Sequence, residues 1–536
     1  MGRIEVLDCT LRDGAYIVDS QFGKGVIRGI IHKLQNANIE VIECGWLKDS
    51  ENKEGSSFYH VPSDLLTYID GKKKECTYVA MIDWNRYDDS VLPENDGTSL
   101  DAIRVVFPYQ KAKEGLKIGA RIKAKGYKVF FQAANTLAYS ESDLIELADR
   151  INVFKPEGLS IVDTFGAMYE DDLIRIAKIL DAHLDNDIRL GFHSHNNQQM
   201  AFANSMAFVN YFAESNRNIM VDSSLCGMGR GAGNATTELI TSFLNRKHHK
   251  NYNLDEILDA IDTYMVWFEE KFKWGYSTPY FIAGTYCCHV NNIAYLLNNH
   301  RASAKDMRNI IASLSANERL KYDYDLLEEK YIENQSRLVD DNLQIKNLSQ
   351  IFENKKILLI APGKSSADEF EKINKISEAK DVITIGVNAI LSGYEYNYLF
   401  FSNKVRYDYA KSAYDEVFAL TNKIILSNVK TNAEKDEIVI NFNRAIKRGW
   451  EYFDNAVICA LRLLQNLGVR DVLIAGFDGF KNKYNESYAD KSLPTLGTGI
   501  VYAGLNEEIR DIFRDFVESD EGNMKIVFVT DSYFEK

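Results

Sequence analysis

Through the first half of the chain, short β-rich apolar runs alternate with longer stretches whose apolar positions recur at helical spacing. The strand-like runs are 3–8, 39–45, 77–83, 102–107, 128–132, 158–163, 188–193 and 219–224. The segments 24–36, 110–125, 141–153, 170–184 and 198–213 between them read as helices. One of these opens on Glu170-Asp171-Asp172, acidic residues that favour a helix N-terminus. Eight β/α repeats in about 240 residues is the count of a (β/α)8 barrel, with an open doubly wound sheet as the alternative. The barrel is preferred because polar clusters follow the ends of both the first and seventh strands. In a barrel those ends face one pocket.

Residues 250–345 read as helical, and a second alternation begins at Lys355. Its strands are predicted at 357–360, 382–387, 397–402, 423–427, 436–440, 471–476 and 525–530, with a helix at 454–467. The expected organisation is α/β throughout. Residues 1–317 form a (β/α)8 barrel with a helical extension, 318–352 a charged helical linker, and 353–536 a Rossmann-like domain.

At 536 residues the chain exceeds one hydrophobic core, in keeping with that division. A formal net charge of −14 argues against a nucleic-acid or anionic-membrane surface as the main role. No apolar run reaches the length of a membrane span, and the charged N-terminal strand does not read as a signal peptide. Seven scattered cysteines form no disulfide framework, and Cys287-Cys288 reads as two buried thiols. The expectation is a reduced, cytoplasmic enzyme of small molecules, with homo-oligomerisation left open.

The chemistry concentrates in three motifs. Leu7-Asp8-Cys9-Thr10-Leu11-Arg12-Asp13-Gly14 sets an arginine beside a carboxylate after the first strand. Gly191-Phe192-His193-Ser194-His195-Asn196-Asn197 sets two imidazoles on one face of the seventh, because alternate strand residues point the same way. One carboxylate and two histidines form a ligand set for a divalent metal with open positions. A nearby arginine can stabilise the charge of an enolate. Third, Cys226-Gly-Met-Gly-Arg-Gly-Ala-Gly-Asn234 follows the eighth strand and opens a helix, where Asn234 can offer an oxygen to metal or substrate. A phosphate loop is the other reading of that segment.

These motifs, in this order, resemble the metal-dependent aldolase, lyase and acyl-transferring synthase (DRE-TIM-type) family. That family includes 4-hydroxy-2-oxovalerate aldolase, hydroxymethylglutaryl-CoA lyase and isopropylmalate synthase. The resemblance spans roughly residues 1–315. It implies a (β/α)8 barrel holding Mn²⁺ or Mg²⁺, with Asp13, His193 and His195 as ligands, Asn234 beside the metal and Arg12 as the catalytic arginine. Two imidazoles also suit Co²⁺ or Zn²⁺. Asp163 and Thr164 match a further family signature, as substrate contacts or as barrel-rim hydrogen bonds. Ala283-Gly284-Thr285-Tyr286 matches the aldolase branch, which implies an active-site hydroxyl at Tyr286. Where aldolases usually carry a histidine base the chain has Tyr16, so Tyr16 and His289 are the candidate bases. The glutamine of the CoA-using branches and the cysteine of the lyase loop are absent. A Claisen-type acyl-CoA synthase is therefore the alternative to an aldolase acting on a 2-oxo acid and an aldehyde.

In the second half, Gly363-Lys364-Ser365-Ser366 sits between a strand and a helix without Walker spacing. Asn388 and Asn403 end neighbouring strands, where they suit a sugar or phosphate, or ordinary turns. The run to Gly476-Phe477-Asp478 resembles the nucleotide-binding domains of bacterial CMP-sialic-acid-dependent sialyltransferases, implying a CMP- or CDP-linked ligand. Residues 353–536 contain no histidine, which favours binding over transfer. A bifunctional aldolase–glycosyltransferase is the second alternative. The two resemblances together suggest synthesis of a bacterial surface polysaccharide sugar.

Overall fold

The computed structural model describes residues 2–69, 71–300, 302–335, 339–431, 436–447, 455–481, 486–494, 502–520 and 522–535. The chain divides into two compact units, residues 1–293 with 314–322, and residues 294–313 with 323–536. The segment 318–352 is thus split between them. Beyond residue 323 it forms the helices Tyr324–Gln335 and Asn342–Phe352 of the second unit.

The first unit is a closed parallel barrel. Its strands are β1 (Ile4–Asp8), β2 (Val41–Leu47), a two-residue β3 (Phe58–Tyr59), β4 (Thr77–Asp83), β5 (Ala102–Phe107), β6 (Lys128–Ala133), β7 (Gly158–Asp163), β8 (Arg189–Ser194) and β9 (Ile219–Ser223). The order β1-β9-β8-β7-β6-β5-β4-β2 closes through β1 and β2, with β3 appended to β2. Helices between the strands cover the outside, and residues such as Val6, Ile42 and Ile103 pack against them.

Inside, strand alternation builds the barrel in layers. Leu7, Val41, Val79, Ala102, Phe130 and Met220 form one apolar layer. Two residues onward on the same faces stand Glu43, Arg104, Gln132 and Asp222, all buried. The apolar layer closes the floor of the barrel. The polar layer above it lies toward the strand C-termini, where the ends of β1, β8 and β9 converge. In β2 the pairing to β4 shifts register between Glu43 and Trp46. Such a bulge re-aims the strand end beside a site.

The second unit is built on seven parallel strands: β10 (Lys356–Ile360), β11 (Val382–Val387), β12 (Tyr398–Phe401), β13 (Asn422–Leu426), β14 (Glu437–Ile440), β15 (Asp471–Ala475) and β16 (Lys525–Phe528). Their order, β14-β13-β12-β11-β10-β15-β16, reverses between β10 and β15. That reversal is the topological switch point at which doubly wound sheets open a crevice.

All seven cysteines are free. Cys288 is buried as expected, but Cys287 is only half-buried. Among the described residues no helix is long and apolar enough to cross a membrane.

Candidate metal centre

Directly after β1 the chain coils into one helical turn, Thr10–Asp13, which carries Arg12 and Asp13 inward and buries both. Thr10 Oγ1 accepts the Leu225 N–H at 2.8 Å, and the Trp46 indole donates to the Arg12 carbonyl at 3.0 Å. The turn is therefore held from both sides. Asp13, His193 and His195 converge so that their ligand atoms lie within 4.8 Å of one another.

The second nitrogen of each ring is already committed. His193 donates from Nδ1 to Asp222 Oδ2 at 3.0 Å, and His195 donates from Nδ1 to the Asp163 carbonyl at 2.9 Å. A carboxylate and a carbonyl can only accept, so both Nε2 atoms keep their lone pairs for the cluster. His195 Nε2 stands 3.6 Å from Asp13 Oδ2.

Asn234 donates to Asp13 Oδ2 at 2.7 Å, while its buried Oδ1 has no hydrogen-bond partner. An orphaned oxygen beside a carboxylate and two imidazole lone pairs fits a divalent cation. The backbone leaves room for it as well. A Cβ on Gly229 would stand 2.3 Å from Asn234 Nδ2 and 2.7 Å from Asp13 Oδ2.

Burial alone would raise the Asp13 carboxyl. Arg12 foremost, then the two histidines and Asn234, outweigh that effect and hold it at about 2. Burial lowers His195 to about 4, which keeps it neutral as a ligand.

Three residues not anticipated from the sequence complete the centre. Arg12 pairs with Asp13 Oδ1 through Nη1 and with Glu43 Oε2 through Nε, each at 2.7 Å. Glu43 Oε2 also stands 3.0 Å from Arg104, which in turn pairs with Asp222. The chain Asp13–Arg12–Glu43–Arg104–Asp222–His193 therefore runs unbroken around the barrel interior and links two of the proposed ligands. The signal for it was a charge in mid-strand among apolar neighbours, as in Ala102-Ile-Arg104-Val and Met220-Val-Asp222.

The Gly-rich loop is tied to the histidine motif by that motif's own asparagines. Asn197 Oδ1 accepts the Ala232 N–H at 2.8 Å, and the Asn196 N–H donates to the Gly233 carbonyl at 2.7 Å.

Asp163 and Thr164 lie on the barrel rim with their side chains committed to backbone. Asp163 accepts from the N–H groups of Ala167 and Met168, and Thr164 Oγ1 accepts the Asn135 N–H at 2.6 Å. Burial raises Asp163 to about 7.

The two candidate bases meet at Arg230. Its guanidinium lies over the Tyr16 ring at 5.3 Å, and its Nη2 is 2.7 Å from His289 Nε2. Burial, reinforced by Arg230, lowers His289 to about 3, and desolvation of its hydroxyl end raises Tyr16 although that side chain is 46% exposed. Burial thus favours the neutral form of both candidate bases, the imidazole of His289 and the phenol of Tyr16. Tyr286 packs its ring beneath Arg319 at 5.4 Å, and among the described residues no polar contact joins it to the metal cluster.

In the second unit the loop 363–366 and Asp478 come together at the switch point. Asp478 accepts the Ser365 N–H at 2.8 Å and also pairs with its hydroxyl, so the anion on this turn is the chain's own carboxylate. Gly363 leaves no space for a side chain, since a Cβ there would meet the Gly476 carbonyl at 2.2 Å. Ser366 bonds the Ala361 carbonyl, and Lys364 is exposed. Asn388 bridges to Ser402, and Asn403 caps the helix Lys404–Ala413. Asn388 thus ties two strand ends together, and Asn403 serves a helix start. Tyr488 bridges to Gly363 and lies under Arg406 at 4.9 Å; Arg406 Nη1 is buried without a hydrogen-bond partner among the described residues.

Residues 109–263 match the family model HMGL-like. The chain is 28% identical over 260 residues to an oxaloacetate decarboxylase of Mycobacterium tuberculosis, covering 48% of this chain and 74% of that protein. It is 26% identical over 267 residues to a 4-hydroxy-2-oxovalerate aldolase of Geobacillus genomosp. 3, covering 48% and 76%. To the protein of the same name from Moorella thermoacetica it is 26% identical over 326 residues, covering 58% and 90%.

Proposed function

We propose that this chain, whose barrel is an HMGL-like domain of the metal-dependent carbon–carbon lyase type, is an aldolase that makes or breaks a bond of a 2-oxo acid through a pyruvate-type enolate. The observation that carries the reading is the convergence of Asp13, His193 and His195 beside Arg12. Asn234, with its orphaned oxygen, is proposed as a further contact to the metal. Mn²⁺ is the proposed ion, with Mg²⁺, Co²⁺ and Zn²⁺ as alternatives. When bound, the cation supplies Lewis-acid polarisation of the keto oxygen.

The chain's own residues do the rest. Arg12 is proposed as the catalytic arginine. Glu43 and Asp13 fix its Nε and Nη1, which leaves Nη2 as the donor for a substrate oxygen gaining negative charge. Counting Glu43, Arg104, Asp222, Arg12 and Asp13 in their charged forms, the buried network carries one net negative charge. A divalent cation and the single carboxylate of the 2-oxo half together bring this network to neutrality. Bond cleavage leaves the electron pair of the C3–C4 bond on C3 of the pyruvate half; the C4 hydroxyl gives up its proton to become an aldehyde, and C3 takes up a proton to give pyruvate, so no proton is gained or lost overall.

The test is metal-supplemented cleavage of 4-hydroxy-2-oxo acids, followed as pyruvate release. Chelation should abolish it, and elemental analysis of His193→Ala should find the metal gone. Full metal occupancy in that variant would sink the ligand assignment. Thiol release from acetyl-CoA and a 2-oxo acid would point instead to the synthase alternative.

The second unit is proposed to bind a cytidine nucleotide or a sugar linked to one, in the cytoplasmic synthesis of a bacterial surface polysaccharide. What supports this is the switch point between β10 and β15, flanked by Arg406, whose Nη1 has no hydrogen-bond partner among the described residues. The engagement of Ser365, Asn388 and Asn403 in hydrogen bonds within the chain moves the expected phosphate contact from those residues to Arg406.

A further inference from the structure

Arg230 is a cation on the metal loop that the chemistry above leaves unused. Its neighbour Gly229 lies against Asp13 and Asn234, so the loop backbone immediately before Arg230 touches the ligand cluster. Arg230 itself is half-buried over the Tyr16 ring. Its polar neighbours are neutral: Nη2 stands 2.7 Å from His289 Nε2 and 3.2 Å from Asn291 Oδ1. No carboxylate forms an ion pair with it among the described residues. A half-buried guanidinium whose hydrogen-bond partners are all neutral is placed to pair with an anion.

The hydrogen-bond inventory calls for one too. His289 Nδ1 faces the Asn291 N–H at 3.2 Å, and Nε2 faces Arg230. A neutral imidazole has a single acceptor nitrogen, so in either tautomer the ring N–H faces another donor, the Asn291 amide or Arg230, although Arg230 Nη2 also has Asn291 Oδ1 as an acceptor. An anion oxygen between Arg230 and His289 would accept from both Nη2 and Nε2–H and leave Nδ1 to the Asn291 amide. One tautomer would then satisfy every group.

A second cation lies on the same aromatic pair. Lys48 Nζ lies over the Trp46 ring at 4.5 Å, Trp46 meets Tyr16 edge-on at 5.9 Å, and Tyr16 carries Arg230. Two cations thus flank one aromatic pair, and Arg12 approaches the Trp46 ring to 5.9 Å. The acidic groups nearby are paired with other cations, Asp83 with Arg86 at 3.7 Å and Asp13 and Glu43 with Arg12.

We infer that Arg230 anchors a second anionic group on the substrate: the aldehyde half ends in a carboxylate or a phosphate. The inference rests on the aldolase reading and adds its substrate class. Arg230 takes no part in the bond change. It holds the remote end, and the reaction remains pyruvate plus an anionic aldehyde in equilibrium with the 4-hydroxy-2-oxo acid, with every atom retained and no net redox change.

The experiment uses the full-length, metal-supplemented protein and matched substrates. 4-Hydroxy-2-oxoglutarate, which yields glyoxylate, is compared with 4-hydroxy-2-oxopentanoate, which yields acetaldehyde. The pyruvate adduct of glyceraldehyde 3-phosphate is compared with that of glyceraldehyde. The wild-type protein should favour at least one anionic partner by about tenfold or more in kcat/KM, and the better pair identifies carboxylate or phosphate. In Arg230→Met that ratio should fall close to one, through KM for the anionic substrate. Arg230→Lys should keep a preference of the same sign. A wild-type ratio near one with both pairs, or an unchanged ratio in Arg230→Met, would overturn the inference. Exchange of the pyruvate methyl protons into deuterium oxide needs no aldehyde. Its absence in the wild type would overturn the aldolase reading and the inference with it. Exchange without anionic preference would overturn the inference alone.

Discussion

At the scale of single residues, the centre is a sequence of charges each held by the next, so removing one should be felt at its neighbours. Arg12→Ala should lower turnover by about 10²–10³-fold, as expected for loss of a positioned oxyanion donor, and should leave the metal bound. Steady-state kinetics with metal analysis separates that outcome from a structural role. Asp222→Asn should weaken metal affinity by about 10–100-fold, because His193 loses the carboxylate that fixes its tautomer; titration of the apo-protein with Mn²⁺ measures it. His289 carries a pH signature. Its folded value of about 3 lies below the ordinary value near 6.5, so the unfolded chain takes the proton first as pH falls. Its stabilising contribution is therefore complete above pH ~6.5 and is lost between there and about 3. Asp163, raised to about 7, works in the opposite sense and loses its contribution as pH rises through that value. Melting curves of wild type and His289→Gln at pH 7 and 5 isolate the first effect: the variant should lose less stability on acidification. An equal loss in both would remove His289 as the cause.

Secondary structure and loops give a different account of what the sequence could tell. The barrel strands were legible because buried parallel strands are nearly continuous apolar runs, and β5 at Ala102–Phe107 and β7 at Gly158–Asp163 fall where the pattern put them. The helical turn Thr10–Asp13 was not, since nothing local favours it. It exists because Leu225 and Trp46, from other strand ends, hold it. Arg12 and Asp13 could be chosen by residue type, whereas Glu43, Arg104 and Asp222 needed the alternation along each strand to be followed into the barrel. The loops also yield tests. Gly229→Ala should displace Asn234 or Asp13 and reduce metal occupancy while the circular dichroism of the barrel stays unchanged. Asn403 accepts the Arg406 N–H as a helix cap, so Asn403→Ala should cost about 1 kcal/mol of stability in denaturant unfolding.

For the molecule as a whole, the matched family model falls within the barrel, at residues 109–263, and the second unit must be read from its own topology. There the strand order was legible only in part. The alternation of runs predicted a Rossmann-like sheet, but the reversal between β10 and β15 depends on long-range pairing that periodicity does not encode. If the crevice at that reversal takes a cytidine nucleotide, CMP or CDP at a hundredfold excess over its dissociation constant should stabilise the full-length protein by about 2.7 kcal/mol. A calorimetric scan unchanged by cytidine, uridine, adenosine and guanosine nucleotides would retire nucleotide recognition. The closure of the barrel has a consequence in time. β1 pairs with β2 on one side, but Ile4 meets its other neighbour, Ile219, only across a separation of 215 residues. At ribosomal speeds of about 5–20 residues per second, the first strand waits roughly 10–40 seconds for β9 to be made. During that wait its outer edge is open to strangers. The three residues of the candidate metal cluster, Asp13, His193 and His195, are all made before β9, the strand that lies between β1 and β8, so the cluster can come together only in the last stage of barrel closure.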